Sequence, residues 1–249
     1  MKQYHIGLDA SINAKYAILP GDPARVEKIA SYLENPVYVA TKREYKSFIG
    51  ELAGQNVLVM STGMGGPSTA IALEELKLIG IENVLRIGTS GGMALNVEPG
   101  DIVIAQAAIR MEGTSREYLP IEFPAVANFD FTKSLQEAAE INNFSYHVGV
   151  VHCKDSFYGQ HDPQRMPISY DLLNKWSAWL KGNCLASEME SSALFAVSQV
   201  IGLRAACVLN VIWNQERSAA GYEDKEHPDM DNAIRTAIKA IEIDMQRFN

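Results

Sequence analysis

Apolar residues along this chain fall into two rhythms that take turns from one end to the other. Short, nearly unbroken apolar runs at Tyr16–Leu19, Val57–Ser61, Val84–Ile87, Ile102–Ala107, His147–Cys153 and Leu203–Trp213 have the length and composition of buried strands. Between them the spacing opens to that of amphipathic helices. Val26, Ile29, Ala30 and Leu33 follow the first run, and Ala70, Leu73 and Leu76 share a face of Ser68–Ile79. Further helices are predicted at Lys133–Ile141, Tyr170–Leu180 and Ser191–Ile201. A last one runs over Met230–Phe248, where Ile234, Ala237, Ile238, Ile241 and Met245 keep helical spacing. Strands apolar on both faces, alternating with helices, predict an α/β fold: a three-layer α/β/α arrangement with a central mixed, largely parallel sheet flanked by helices. The mixed character comes from Glu44–Val59, two strand-like runs joined at Ala53-Gly54 as an antiparallel hairpin. No repeat or linker interrupts the pattern, so residues 1–249 read as a single domain.

Composition narrows the class. Net charge is −8, with acidic and basic residues interspersed, which argues against a general nucleic-acid binder. No stretch has the roughly 18 unbroken apolar residues of a membrane span, and Met1–Ala10 has no apolar core of a signal peptide. Cys153, Cys184 and Cys207 are odd in number and widely spaced, which predicts small buried hydrophobes rather than disulfides or a zinc site. The expectation is a cytoplasmic protein with no membrane partner.

In an open α/β sheet, ligands sit beyond the carboxyl ends of strands, and polar residues gather there. Gly21, Asp22, Pro23 and Arg25 follow the first run. They form either an anion cradle at a helix start or a plain strand-to-helix turn capped by Asp22. Arg86 lies inside an apolar strand, where its charge requires a partner: a protein carboxylate or a bound anion. Thr89 and the glycine-rich turn after it offer a hydroxyl and free amides to the same anion. Glu188 and Glu190 share a face if the first still belongs to a strand. Two adjacent carboxylates suit the hydroxyls of a ribose, and they equally suit a helix N-terminus. Phe157 and Tyr158 can cover an apolar ring while the Gln160 amide reads a pyrimidine edge; they serve equally as core and surface loop. The stretch Ser61–Ser68 fails as a dinucleotide fingerprint, because its third glycine is Ser68 and Pro67 breaks the turn.

The order of these segments is more specific than any one of them. His5-Ile6-Gly7-Leu8, Pro20-Gly21-Asp22-Pro23, Lys42-Arg43-Glu44-Tyr45, Ser61 to Ser68, Leu85-Arg86-Ile87-Gly88-Thr89 and Glu188-Met189-Glu190-Ser191 resemble the nucleoside phosphorylase-I family, closest to its uridine-cleaving members. The resemblance runs from about His5 to Val211. It implies phosphorolysis of uridine to uracil and ribose 1-phosphate in pyrimidine salvage, with inorganic phosphate as co-substrate and no required cofactor. It assigns Gly21, Arg25, Arg86 and Thr89 to phosphate, and Arg43 to phosphate in a neighbouring subunit's site. His5 is assigned to the ribose across the same interface, Glu188, Met189 and Glu190 to the ribose, and Phe157 and Gln160 to the base. Arg25, Arg43, Arg86 and Glu190 carry the catalysis in this assignment. Glu44 and Ser68 match residues that hold a monovalent cation, a structural potassium, between subunits. The implied assembly is a homo-hexamer built as a trimer of dimers.

Two departures shape the expectation. Purine-specific relatives carry an aspartate after the last strand, and Val211-Ile212-Trp213-Asn214-Gln215 has none, which favours a pyrimidine. The second base-reading arginine of the uridine-cleaving branch is replaced by Asp162, and Gln215 stands at another expected arginine. Arg165 or Arg217 is therefore expected to donate to the uracil, with His161 as a further candidate donor. The alternatives are a purine nucleoside phosphorylase and a non-catalytic nucleoside-binding protein of the same fold. A nicotinamide-dependent oxidoreductase would need the fingerprint that Gly63–Ser68 lacks.

Overall fold

The computed structural model describes residues 1–248. In chain order its elements are β1 (Tyr16–Pro20), α1 (Val26–Ala30), β2 (Glu34–Lys42), β3 (Tyr45–Leu52), β4 (Gln55–Met60), α2 (Gly66–Leu78), β5 (Asn83–Gly92) and β6 (Ile102–Met111). There follow α3 (Thr114–Tyr118), β7 (Ala125–Val126), α4 (Phe129–Ile141), β8 (Tyr146–Lys154), α5 (Phe157–His161), α6 (Ser169–Lys181), β9 (Ala186–Glu188), α7 (Ser191–Ile201), β10 (Arg204–Asn214), α8 (Gln215–Ala219) and α9 (Asp231–Phe248). The expected runs and helices are all present, shifted at their ends by a few residues.

All the strands join one mixed sheet. Strands β4, β1, β5 and β10 lie parallel in that order, and the hairpin of β2 and β3 extends the β4 side antiparallel. On the other side the sheet closes on itself. Strand β10 pairs antiparallel with β6, β6 parallel with β8, β8 parallel with β9, and β9 antiparallel with the end of β5. The closure corrects one expectation. Gly88–Gly92 is not a turn after Arg86 but the continuation of β5, paired with Leu209–Val211 and with Ser187 and Ala186. Glycines permit this because β10 and the Asn214 side chain crowd that face, leaving no room for a Cβ at Gly92.

Side chains alternate between two cores. Leu19, Leu58, Met60, Val84 and Leu209 point to the layer of α2 and α7, where Leu73, Leu76, Leu194 and Phe195 are buried. Ile18, Val59, Leu85, Ile87 and Ile104 point to α1, α4 and α9, where Ile29, Phe131, Leu135, Ile234 and Ile241 are buried. The second layer is tied to the sheet by a buried polar link. Asp244 of α9 accepts from Tyr16 Oη at 2.9 Å and from both terminal nitrogens of Arg204 at 2.8 Å. Burial and the Asp244 carboxylate push the Tyr16 phenol far above its ordinary range. The three cysteines are free and buried, as expected. No helix among the described residues is long and apolar enough to cross a membrane.

Candidate active site

The alternation that builds the cores also places Arg86. It follows Val84 and precedes Gly88 on the α2 and α7 face of β5, so its side chain runs over the sheet toward the ends of the parallel strands. Gly88 makes this possible: a Cβ there would lie 2.7 Å from Arg86 Nη2 and 2.8 Å from Leu209 Cδ2. The guanidinium is buried and held on one side by two carboxylates. Its Nε donates to Glu188 Oε2 at 3.2 Å, and its Nη2 donates to Glu190 Oε2. The remaining nitrogen, Nη1, is buried without a hydrogen-bond partner and lies on the side of Gly21. A guanidinium fixed at two corners with its third donor group open is a built receptor for an anion.

The open donor faces a cavity of about 740 Å³ at the carboxyl ends of β1 and β5. Gly21, Arg25, Thr89 and Arg86 all line it, so the phosphate residues proposed from the chain are brought together. Arg25 opens α1 beside Asp22, whose carboxylate is 3.8 Å from its Nε. Gly63, at φ +74°, donates from its amide to Gly21 O at 2.9 Å and clamps this corner. Glu44 and Ser68 meet around Gly63, where a Cβ would lie 2.8 Å from Glu44 Cγ and 3.3 Å from Ser68 Oγ.

Glu188, Met189 and Glu190 form the opposite wall. Glu188 ends β9, and Glu190 sits at the start of α7. The helix N-terminus reading holds for Glu188, whose carboxylate accepts from Glu190 N at 2.9 Å and Ser191 N at 3.0 Å while also pairing with Arg86. Burial alone would raise its pKa, but Arg86 and these donors overcome that and hold it below the usual carboxylate range. Glu190 is pushed the other way, chiefly by burial and then by the neighbouring Glu188, despite Arg86 and the Gly65 amide that donates to its Oε1. One carboxylate is thus locked into structure, and the other is the more readily protonated.

The third wall is aromatic. Phe157, Gln160 and His161 of α5 line the cavity together with Ile212 and Trp213 of β10. Phe157 and His161 stack at 4.3 Å between ring centres, and His161 lies 6.5 Å from Trp213. Burial, reinforced by Lys154, lowers the His161 imidazole below its ordinary value, which keeps it neutral near pH 7. The Gln160 amide is oriented from behind. Its Oε1 accepts from Ser187 Oγ at 2.7 Å, and its Nε2 donates to Gln215 Oε1 at 3.1 Å.

Two residues expected at the site lie elsewhere. Arg217 is buried away from the cavity and engaged in full: it pairs with Asp224, meets Glu98 at 3.2 Å, donates to Leu95 O at 2.8 Å and stacks on Tyr222 at 4.2 Å. Arg165 is exposed, with its Nε 3.2 Å from Asp162 Oδ2 and its guanidinium over Tyr158. Neither lines the cavity. His5 and Arg43, which the resemblance assigns to a neighbouring subunit's site, are outside this chain's own cavity. Nδ1 of His5 meets Glu75 Oε1 at 2.7 Å, and Arg43 is exposed near Tyr4. Conversely, Lys154 was missed. It is buried at the end of β8, lines the cavity and donates to Ser187 Oγ at 2.8 Å. A lysine closing an otherwise apolar strand was the signal for it, of the same kind that singled out Arg86.

A family model described as the phosphorylase superfamily matches residues 15–244. The chain is similar to a uridine phosphorylase of Treponema pallidum, 52% identical over 97% of this chain and 93% of that one. It is similar to a uridine phosphorylase of Thermococcus kodakarensis, 41% identical over 97% of this chain and 86% of the other. A guanosine phosphorylase of Halorubrum lacusprofundi is 35% identical over 96% and 98% of the two chains.

Proposed function

The chain belongs to the phosphorylase superfamily, and we propose that it catalyses the reversible phosphorolysis of uridine to uracil and ribose 1-phosphate. The observation that carries this reading is the buried, unpartnered Nη1 of Arg86, held open toward Gly21 by the Glu188 and Glu190 carboxylates. Leaving such a group without an acceptor is costly, and a phosphate oxygen supplies one.

In the proposed reaction Arg86, Arg25, the Thr89 hydroxyl and the backbone at Gly21 hold the phosphate dianion. Glu190 accepts hydrogen bonds from the ribose hydroxyls, beside Met189. A phosphate oxygen bonds to C1′ as the C1′–N1 bond breaks, and the bonding pair passes into the pyrimidine ring. Positive charge developing on the ribose is stabilised by the adjacent dianion, and positioning of the two reactants lowers the barrier further. The ring's growing negative charge falls on its carbonyl oxygens. The second N–H of Gln160 and a ring N–H of neutral His161 donate to them, while the free lone pair of Gln160 Oε1 accepts from N3–H. His161 thereby takes the part first given to Arg165 or Arg217. Phe157 and Trp213 cover the faces of the ring. The uracil anion takes its proton from solvent after departure, and no cofactor or covalent intermediate enters.

We propose that His5 and Arg43, which lie outside their own cavity, complete that of a partner in a shared-site dimer, three of which make a hexamer. Glu44 and Ser68, an oxygen pair suited to an alkali cation but too few for a full shell, would hold potassium at that interface. Three free buried cysteines accord with a cytoplasmic location.

Ultraviolet-monitored cleavage of uridine and of inosine, each with and without phosphate, tests the reading. Phosphate-dependent loss of uridine with inosine nearly inert is expected. The Halorubrum guanosine phosphorylase keeps a purine substrate as the second reading, and preferential cleavage of inosine would establish it. Inertness toward both nucleosides would leave a binding protein.

A further inference from the structure

Behind the aromatic wall lies a second cavity of about 240 Å³ that the reaction does not use. It is lined by Met111 at the end of β6, by α5, and by Leu172, Leu173, Trp176 and Trp179 of α6. Helix α6 is strongly amphipathic in sequence, yet none of its residues is fully buried, because its apolar face looks into this space rather than onto a filled core. Two polar groups in the cavity wall are buried with no partner: Nε2 of His152, a residue only 4% exposed, and Nε1 of Trp179.

The hydrogen-bonding sense of these two groups can be derived. Glu216 can only accept when ionised, so Gln215 Nε2 donates to it at 3.2 Å and Gln215 Oε1 must accept from Gln160 Nε2. Gln160 Oε1 then accepts the single proton of Ser187 Oγ at 2.7 Å. With its proton spent, Ser187 Oγ accepts from Lys154 Nζ at 2.8 Å and from His152 at 3.0 Å, so Nδ1 of His152 carries the hydrogen. Its Nε2 is therefore a bare lone pair on a residue that lines an apolar cavity, and the Trp179 indole is a bare donor. Burial, with Lys154 nearby, pushes the His152 imidazole down to about 4, so the ring stays neutral and keeps that lone pair near pH 7.

We propose that this cavity is a second small-molecule site, for a compact uncharged aromatic compound carrying one O–H or N–H group. The aromatic body matches the tryptophan and leucine lining, the O–H or N–H satisfies His152 Nε2, and an oxygen on the ligand can accept from Trp179. Size agrees: an apolar cavity of about 150 Å³ takes benzene, so this one has room for a substituted ring. The site shares Lys154, Gln160 and Gln215 with the walls of the substrate cavity or their supports, and its existence does not depend on the reaction assigned there.

Fluorine NMR titration of the full-length protein with 4-fluorophenol tests it, with fluorobenzene as the probe lacking a donor. Saturable one-to-one binding of 4-fluorophenol is expected, with fluorobenzene roughly tenfold weaker for want of the hydrogen bond. Leu172→Trp, which fills the cavity, abolishes binding, and His152→Phe, which keeps the volume and removes the acceptor, weakens 4-fluorophenol to about the level of fluorobenzene. Saturating uracil leaves binding unchanged. Absence of saturable binding, displacement by uracil, or equal affinities for the two probes in the wild type would overturn the proposal. The probe comparison and His152→Phe decide the matter even if Leu172→Trp does not fold.

Discussion

Arg86 and His152 are opposite solutions to burying a basic group. Arg86 keeps its charge because Glu190 and Glu188 outweigh the burial that opposes it, and its ionisation lies far above any accessible pH. Its setting also depends on Gly88, whose missing side chain leaves the guanidinium room. Gly88→Ala should therefore leave the fold standing but displace Arg86 from Glu190. Steady-state kinetics should show kcat on uridine falling by about a hundredfold, the scale of a misplaced catalytic group. Unchanged kcat would mean that the guanidinium tolerates the displacement. His152 instead gives up its charge, and this fixes the sign of a pH effect. The unfolded chain binds a proton near pH 6.5 that the folded one refuses until about 4, so stability is lost as pH falls through that window. Between pH 7 and 5 the loss is about 2 kcal/mol. Urea denaturation at the two pH values should show this difference in the wild type and its disappearance in His152→Phe. At this scale the sequence was most informative where a charge interrupts an apolar run, as at Arg86. It was silent about His152, because an imidazole within a strand looks alike whether bonded on one side or two.

Among the elements, the strands and helices were legible because each buries a whole face, and the apolar period reports that directly. What escaped was decided by pairing between distant segments. The closure of β10, β6, β8 and β9 back onto β5 has no local signature, and it converted Gly88–Gly92 from an expected turn into strand. The end of β10 was read as chemistry through the aspartate it lacks, whereas Asn214 there is a structural clasp. Its Oδ1 accepts from the amides of Glu216 and Arg217 at 3.0 and 3.1 Å and caps α8. Its Nδ2 donates to Ala94 O and Val97 O, both at 2.8 Å. An aspartate could keep the cap but would set an oxygen against two carbonyl oxygens. Asn214→Asp should thus lower stability by about 1–3 kcal/mol and leave inosine uncleaved. Measurable inosine phosphorolysis by this variant would show that the position governs the choice of base after all.

At the scale of the whole molecule, the arginine assigned to a neighbouring subunit's site stands outside this chain's own cavity. Gly21, Arg25, Arg86 and Thr89 converge, while Arg43 stands exposed between β2 and β3 and His5 is fixed by Glu75 outside the cavity. The edge strand β2 beside them is exposed except at Val39 and Ala40, with Val37 and Tyr38 among its surface residues. The sequence could name Arg43 and His5 but not show which cavity they serve, since that depends on a symmetry operation no single chain encodes locally. Complementation can show it. Arg86→Ala disables the cavity of its own subunit, whereas Arg43→Ala disables the cavity of its neighbour if sites are shared. In a mixed dimer the two lesions then fall on the same site and leave the other intact. Co-expression of the two inactive variants should restore about a quarter of wild-type sites, since half the dimers are mixed and each has one good site. If each cavity used its own Arg43, every site in the mixture would carry a lesion and activity would stay at the level of the separate variants.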